Sequence, residues 1–312
     1  MPARLHQHPT DAAVSQLLDS ADTLAVFGFA GDGLPDDPRV HAVPLEHLGG
    51  ARRECWAGNS PVQVGEAGAI RYARNAELLI GQISLADDGA DMEQLTDRAY
   101  AQIVGFVSNS STPHLLRVWH FLRDINQGEA DAERYRQFCV GRHPHLQRLV
   151  EHGAAYPAAT VIGGVQKCLQ ISFIAAAAPG EPVENPRQTS AFHYPRSYGP
   201  RSPSFSRAKR WPAAEQRSRL LVSGTASVVG HATAHAGDPI AQLRETLANL
   251  AALKAEGERL HCLRVYVRNA QDWPALQAEL QRAGYGPQDY IALRGDVCRS
   301  DLLVEIEAIV SR

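Results

Sequence analysis

The chain reads as one unit written twice, and that constrains its fold more than any single motif. Residues 78–84 (LLIGQIS) match residues 220–227 (LLVSGTAS) at an offset of 142 (220 − 78). LRVWHF from Leu116 matches LRVYVR from Leu263 at an offset of 147 (263 − 116). QISFIA from Gln170 matches EIEAIV from Glu305 at an offset of 135 (305 − 170). Between the first two blocks of each copy an aspartate is placed to cap a helix: Asp97 before RAYAQIVGFV, and Asp238 before PIAQLRETLANLAAL. Blocks in one order, with offsets drifting by a few residues, are what duplication followed by loop insertion produces. Each copy is expected to run strand, helix, strand, helix, strand.

Periodicity in the second copy supports this order. Ile240, Leu243, Leu247, Leu250 and Leu253 fall three or four apart, which makes one helix face apolar and places it on a sheet. Pro239 directly after Asp238 is a favoured first helical residue. Residues 263–267 read as a strand, and 271–284 as a helix closed by Gly284 and Gly286. In the closing strand, 302–310, alternation sends Val304, Ile306 and Ala308 one way and Glu305 and Glu307 the other. Two carboxylates on one face of a terminal strand mark that face as something other than plain core.

Composition narrows the class. A length of 312 residues suits two domains of about 150 residues each, with 44% hydrophobic residues to supply their cores. A net charge of −3 gives no basic field for nucleic acid. Cys55, Cys139, Cys168, Cys262 and Cys298 are odd in number and lack CxxC spacing. The expectation is therefore reduced thiols in a cytoplasm rather than a disulfide framework or zinc knuckle. The opening MPARLHQHPTDAAV lacks the pattern of a signal peptide, and no run of apolar residues is long enough to span a membrane.

Between the copies, residues 178–214 are rich in Pro, Arg, Ser and Tyr and show no periodicity. Arg187, Arg196, Arg201, Arg207 and Arg210 alternate there with Phe192, Tyr194, Tyr198, Phe205 and Trp211. A long loop of this composition reads as functional, and suits a small anionic ligand. The division expected is 1–180, 181–214 and 215–312.

The second copy resembles the RidA (YjgF) family in LLVSGTAS, LANLAALKAEG, LRVYVR and the closing LLVEIEAIV. That likeness implies an α+β fold of two RidA/YjgF-like (chorismate mutase-like) units, each a mixed sheet with helices on one face. It also implies that the first glutamate of the closing strand, here Glu305, lines a ligand pocket. The arginine that grips substrate in that family corresponds to Tyr290, which argues against imine deamination. WHFLRDIN from Trp119, ERYRQFCVGR from Glu133, YPAATVIGG from Tyr156 and ENPRQTSAFHYPRSYGPRSPSFSRA from Glu184 are together similar to the chorismatase family. This resemblance runs from about residue 70 to the C-terminus, and it implies chorismate as substrate, no cofactor and no metal.

Chorismate carries two carboxylates, for which guanidinium and hydroxyl groups are the fitting partners. Arg142, Arg201 and Arg207, with Tyr194 and Tyr198, are the candidates, and Gly224, Thr225 and Ala226 complete the expected binding set. Opening an enol ether starts with protonation of its methylene carbon, which needs an acid still protonated near neutral pH. Glu305, in a strand beside a second carboxylate, suits that role. In the family, a cysteine seven residues before the glutamate goes with hydroxybenzoate formation, and here Cys298 stands there (305 − 298). The implied products are pyruvate and 3-hydroxybenzoate, with 4-hydroxybenzoate as a second product. The alternatives are hydrolysis to 3,4-dihydroxycyclohexa-1,5-dienoate, a RidA-like imine deaminase, or a metabolite-binding module. A pocket completed within one chain implies a monomer, without nucleic-acid or membrane partners.

Other constellations carry less. His231 and His235 form HxxxH without the glutamate of a zinc protease helix. Gly28, Gly31 and Gly33 in GFAGDG open no helix and precede no P-loop lysine, so no nucleotide site is expected there. Residues 23–29 read as a strand.

Overall fold

The computed structural model describes residues 5–29, 33–212 and 218–312. Gly31 of the glycine cluster and residues 213–214 at the end of the Arg/Tyr segment lie outside them. The N-terminal part holds β1 (His6–Thr10), α1 (Val14–Leu18), β2 (Thr23–Phe29), β3 (Val40–Val43), β4 (Glu46–Gly50) and β5 (Arg53–Ala57). The first copy follows with β6 (Gln63–Ala67), β7 (Ile70–Arg74), β8 (Leu78–Ala86), α2 (Met92–Ser108), β9 (His114–Arg123), α3 (Arg134–Glu151), β10 (Ala158–Gly164) and β11 (Cys168–Ala176). The second has β12 (Glu181–Val183), β13 (Ala208–Trp211), β14 (Arg219–Ala226), the short pair β15 (Val228–Val229) and β16 (Ala232–Thr233), α4 (Pro239–Ala251), β17 (Arg259–Val267), α5 (Trp273–Arg282), β18 (Tyr290–Arg294) and β19 (Val304–Ser311).

The duplication is visible in the strand orders. The first sheet runs β10-β9-β11-β8-β7-β6, and the second runs β18-β17-β19-β14-β13-β12, with β4 added beyond β18. The parallel pair at one end, β9 with β10, recurs as β17 with β18. Gln170 pairs with Ser84 in the first sheet as Glu305 pairs with Ala226 in the second. Each copy also ends its sheet in an antiparallel pair that its polar, weakly alternating sequence did not announce: the hairpin β6 and β7, and β12 and β13, which the intervening segment separates. The two ends of segment 181–214 belong to the second sheet, while its middle holds only single turns at Ala191–His193 and Arg196–Tyr198.

Helix starts follow local chemistry. Asp238 accepts from the amides of Ile240 and Ala241, as expected of an N-cap. In the first copy the cap is Asp91, which accepts from Glu93 and Gln94. Asp97 lies about one and two-thirds turns further on and meets His145 instead. The correction follows from the apolar spacing of Met92, Leu95, Ala99 and Ile103, which are buried from the first turn onward.

Three large cores stand out among the described residues. α2 and α3 cover one face of the first sheet, where Leu95 and Ile103 meet Val118 and Phe173. α4 and α5 cover one face of the second, where Leu243 and Leu276 meet Val265 and Ile306. The helix-free faces of both sheets, together with the sheet β1-β5-β2-β3, enclose a third core containing Phe27, Trp56, Trp119, Ile174, Tyr266 and Ile309. The N-terminal residues thus supply a wall of the molecule. Alternation puts Glu305 and Glu307 on the same side of β19 as Ile309, and so against this central core.

Glu307, Glu54 and the arginines placed there are paired, as buried charge requires. Glu307 accepts from Arg117 Nη2 and Thr160 Oγ1, both at 2.5 Å, and from Trp119 Nε1 at 2.7 Å. Arg264 forks onto Glu54 through two bonds of 2.7 Å, and Trp56 donates to the same carboxylate. Among the described residues no helix is long and apolar enough to cross a membrane, and no group of three His, Cys, Asp or Glu could hold a metal ion.

Candidate active site

A cavity of about 300 Å³ opens where β10 of the first sheet leans on β14 and β19 of the second. Residues of both copies line it, with Tyr194, Tyr198, Phe205 and Arg207 of the intervening segment forming one side. That size suits a small metabolite.

Glu305 reaches the cavity because β14 is irregular opposite it. The pairing of β14 with β19 slips between Val222 and Thr225, a bulge at Ser223 and Gly224. Gly224 lines the cavity and its amide donates to Thr160 Oγ1 at 2.9 Å. The same oxygen accepts from Arg117 and donates to Glu307, so one threonine ties the bulge to the buried ion pair. Glu305 is only 5% exposed. Burial above all, and then the neighbouring Glu307, push its carboxyl up to about 8 against the opposing pull of Arg117, Arg207 and Arg268. A carboxylic acid that keeps its proton at neutral pH and faces a cavity is equipped to donate it.

Cationic groups stand opposite. Arg207 is buried; its Nη2 donates to Thr189 O at 2.6 Å and to Tyr194 Oη at 2.8 Å, while Nε has no acceptor among the described residues. Arg299 stacks on Tyr198 and Tyr194, with its guanidinium carbon 4.1 and 5.2 Å from the ring centres. Arg136 also lines the wall, paired with Glu133 at 2.9 Å. These guanidinium groups suit an anionic ligand.

The Cys298 thiol is partly buried at the wall, and burial, with the nearby Glu305, pushes it up to about 12. At neutral pH it is therefore a thiol, able to fill space and polarise but not poised for attack. Ala226 also lines the wall and pairs with Glu305 across the ladder.

Glu305, Cys298, Tyr194, Tyr198, Arg207, Gly224 and Ala226 are thus brought together as the sequence suggested. Three expected residues lie off this wall. Arg142 is fully buried on α3, its guanidinium 4.8 Å over the Phe138 ring and surrounded by Tyr100, Tyr135 and Cys139. Arg201 is exposed and lines a separate groove with Glu93, Asp97 and His143. Alternation turns Thr225 away from the face of Gly224 and Ala226, and its hydroxyl bonds Ser223 O at 2.9 Å. Tyr290 packs in the helix-side core against Trp273. Sequence reasoning missed Thr160, Arg136 and Arg299. The last directly follows Cys298, and the other two lie within ERYRQFCVGR and YPAATVIGG, segments whose resemblance pointed to the family but not to the single residue.

The chain matches the family model described as Chorismatase FkbO/Hyg5-like, N-terminal, over residues 54–175. It is 36% identical over 276 residues to a 3-hydroxybenzoate synthase of Streptomyces hygroscopicus, covering 82% of this chain and 81% of that protein. It is equally identical, 36% over 276 residues, to a chorismatase of Streptomyces rapamycinicus, covering 83% and 82%. A chorismatase crystal structure superposes with a TM-score of 0.83 at 30% identity, covering 99% of this chain and 98% of that one.

Proposed function

This chain belongs to the chorismatase family, and on that premise we propose that it removes pyruvate from chorismate with Glu305 as the general acid, forming 3-hydroxybenzoate. The observation that carries the reading is Glu305 itself, a buried carboxyl pushed up to about 8 on the wall of a cavity that also holds Arg207 and Arg299. Arg207, Arg299 and Arg136 receive the two substrate carboxylates, and Tyr194 and Tyr198 orient the guanidinium groups. Glu305 protonates the methylene carbon of the enolpyruvyl ether, leaving an oxocarbenium ion and a glutamate carboxylate. Addition of water to that ion and collapse of the hemiketal give pyruvate and the dihydroxycyclohexadienoate. Formation of 3-hydroxybenzoate breaks in addition the ring C4–OH bond, releasing as water what the hydrolysis took up, and the C3–H bond, whose proton passes to the Glu305 carboxylate, so chorismate is converted to 3-hydroxybenzoate and pyruvate with no net water.

Cys298 and Ala226 shape the wall beside the ring, and Cys298 favours the aromatic product. The first unit (1–180) serves as scaffold and back wall, the segment 181–214 as the anion-binding side, and 215–312 as the carrier of the acid. Every group used comes from one chain, so a monomer is the proposed active state, and free thiols suit a cytoplasmic setting. Incubation with chorismate, followed by chromatography of the products, tests the reading. Pyruvate with 3-hydroxybenzoate is expected, and absence of pyruvate would overturn it.

A further inference from the structure

The loop between β18 and β19 carries Cys298 and Arg299 to the cavity, yet it forms no helix or strand. A loop bridged to a strand only at its start, here Asp296 to Gly163, takes the rest of its shape from the side chains that satisfy its backbone. Gln242 of α4 holds its far end, at Asp301 O and Leu303 N, and Arg268, the residue after β17, holds the part that carries Cys298. Its Nε donates to Leu302 O at 2.9 Å, and its Nη2 to Val297 O at 2.7 Å and Arg299 O at 2.9 Å. Its Nη1 donates to Asp296 Oδ1 at 2.8 Å and to Asn126 Oδ1 at 3.1 Å. A guanidinium has five N–H donors, and these contacts engage all three of its nitrogens.

Asn126 belongs to the first unit and completes a clamp. While its oxygen accepts from Arg268, its Nδ2 donates to Cys298 O at 3.2 Å. Backbone bonds between Gly163 and Asp296, at 2.8 and 3.2 Å, dock the start of the loop on β10. The carbonyl of Cys298 is thus held from one unit and those of Val297 and Arg299 from the other. Any loosening would move the thiol relative to whatever occupies the cavity.

We infer that Asn126 and Arg268 are positioning residues that hold the Cys298 thiol against the reacting ring and thereby set the partition between aromatic and diol products. The inference rests on the proposed role of Cys298 in that partition. Asn126→Ala removes one donor from the Cys298 carbonyl and one acceptor from Arg268. The ratio of 3-hydroxybenzoate to diol is expected to fall about fivefold, the weight of one ordinary hydrogen bond, while total pyruvate release falls less. Arg268→Lys, which keeps the charge but loses the fork, is expected to act in the same direction.

A second readout needs no substrate: the rate at which a maleimide labels Cys298, located by peptide mass. It is expected to rise about tenfold in both variants as the loop opens locally, while labelling of the buried Cys139 stays at the wild-type rate. A wild-type product ratio in Asn126→Ala, or unchanged Cys298 labelling, overturns the inference even if the variant melts lower. A parent enzyme that makes only the diol overturns it as well. A parent that releases no pyruvate sinks the chorismate reading instead, and the labelling rates then decide alone whether the clamp holds the thiol.

Discussion

The carboxyl group of Glu305 occupies the space that a side chain at Gly224 would fill. A Cβ built on Gly224 would collide with Glu305 Oε1 and press on Thr160 Cγ2 at 3.2 Å. The glycine is therefore a condition for the acid's position, although no positive φ demands it.

Gly224→Ala is expected to displace the Glu305 carboxyl and lower kcat/KM for pyruvate release about 100-fold, the scale on which a misplaced general acid is felt. The melting temperature should move little, since the carboxyl borders a cavity into which it can swing. Near-parental activity in this variant would show that Glu305 does not need its present position.

Glu305→Gln should lose pyruvate release by at least about 100-fold, yet gain stability in a pH-dependent way. The folded-state carboxyl titrates at about 8, whereas its ordinary value is 4.5. Below the ordinary value both folded and unfolded chains hold the proton, and its stabilising contribution is complete. Between the two values the unfolded chain releases the proton and the folded one does not, so the parent loses stability as pH rises. The ceiling on that loss is about 5 kcal/mol at about 1.4 kcal/mol per pKa unit. Thermal melts of parent and variant from pH 5 to pH 8 should diverge in the variant's favour; parallel curves would mean that the carboxyl is not held protonated.

Glu307→Gln addresses what raises the acid. Glu305 feels Glu307 on its own strand, Arg117 from β9, Arg207 from the intervening segment, Arg268 from the end of β17, and the neutral Cys298 thiol from the neighbouring loop. Removing the Glu307 charge leaves Arg117 uncompensated, and both changes favour the ionised form of Glu305. The alkaline limb of the kcat/KM profile, expected near pH 8 in the parent, should move down by about one unit. An unmoved limb would assign that titration to another group.

Arg207 and Arg201 should separate cleanly. Arg207→Gln removes a buried cation from the cavity wall and should raise KM about 10- to 100-fold, as loss of a charge-assisted hydrogen bond does. Arg201→Gln, in its separate exposed groove, should leave the kinetics within about twofold. Equal effects of the two substitutions would contradict the placement of the anion site.

Much of this was legible because it is local or periodic. The duplicated blocks, the cap at Asp238, the strand at Thr23–Phe29 and the facing of Glu305 with Glu307 all follow from spacing along a few residues. The antiparallel pairs β6–β7 and β12–β13 leave no sequence signal because polar and proline-containing strands toward a sheet edge lack a buried period. Asp91 was passed over for Asp97 because both are aspartates ahead of apolar residues, and only the burial of Met92 and Leu95 distinguishes them.

By itself the sequence determined that two related α+β units would form, and that the closing strand would turn two glutamates to one face. Only the tertiary structure decided their different fates. Glu307 meets Arg117, Trp119 and Thr160 from the first unit, whereas Glu305 meets a cavity beside the Gly224 bulge. It likewise decided that Arg207 and Arg299 line that cavity while Arg142 and Arg201 do not. The reason is physical: alternation along a strand is set by neighbouring dihedral angles, but the partner of a buried charge is set by residues far along the chain, through the packing of one sheet against another.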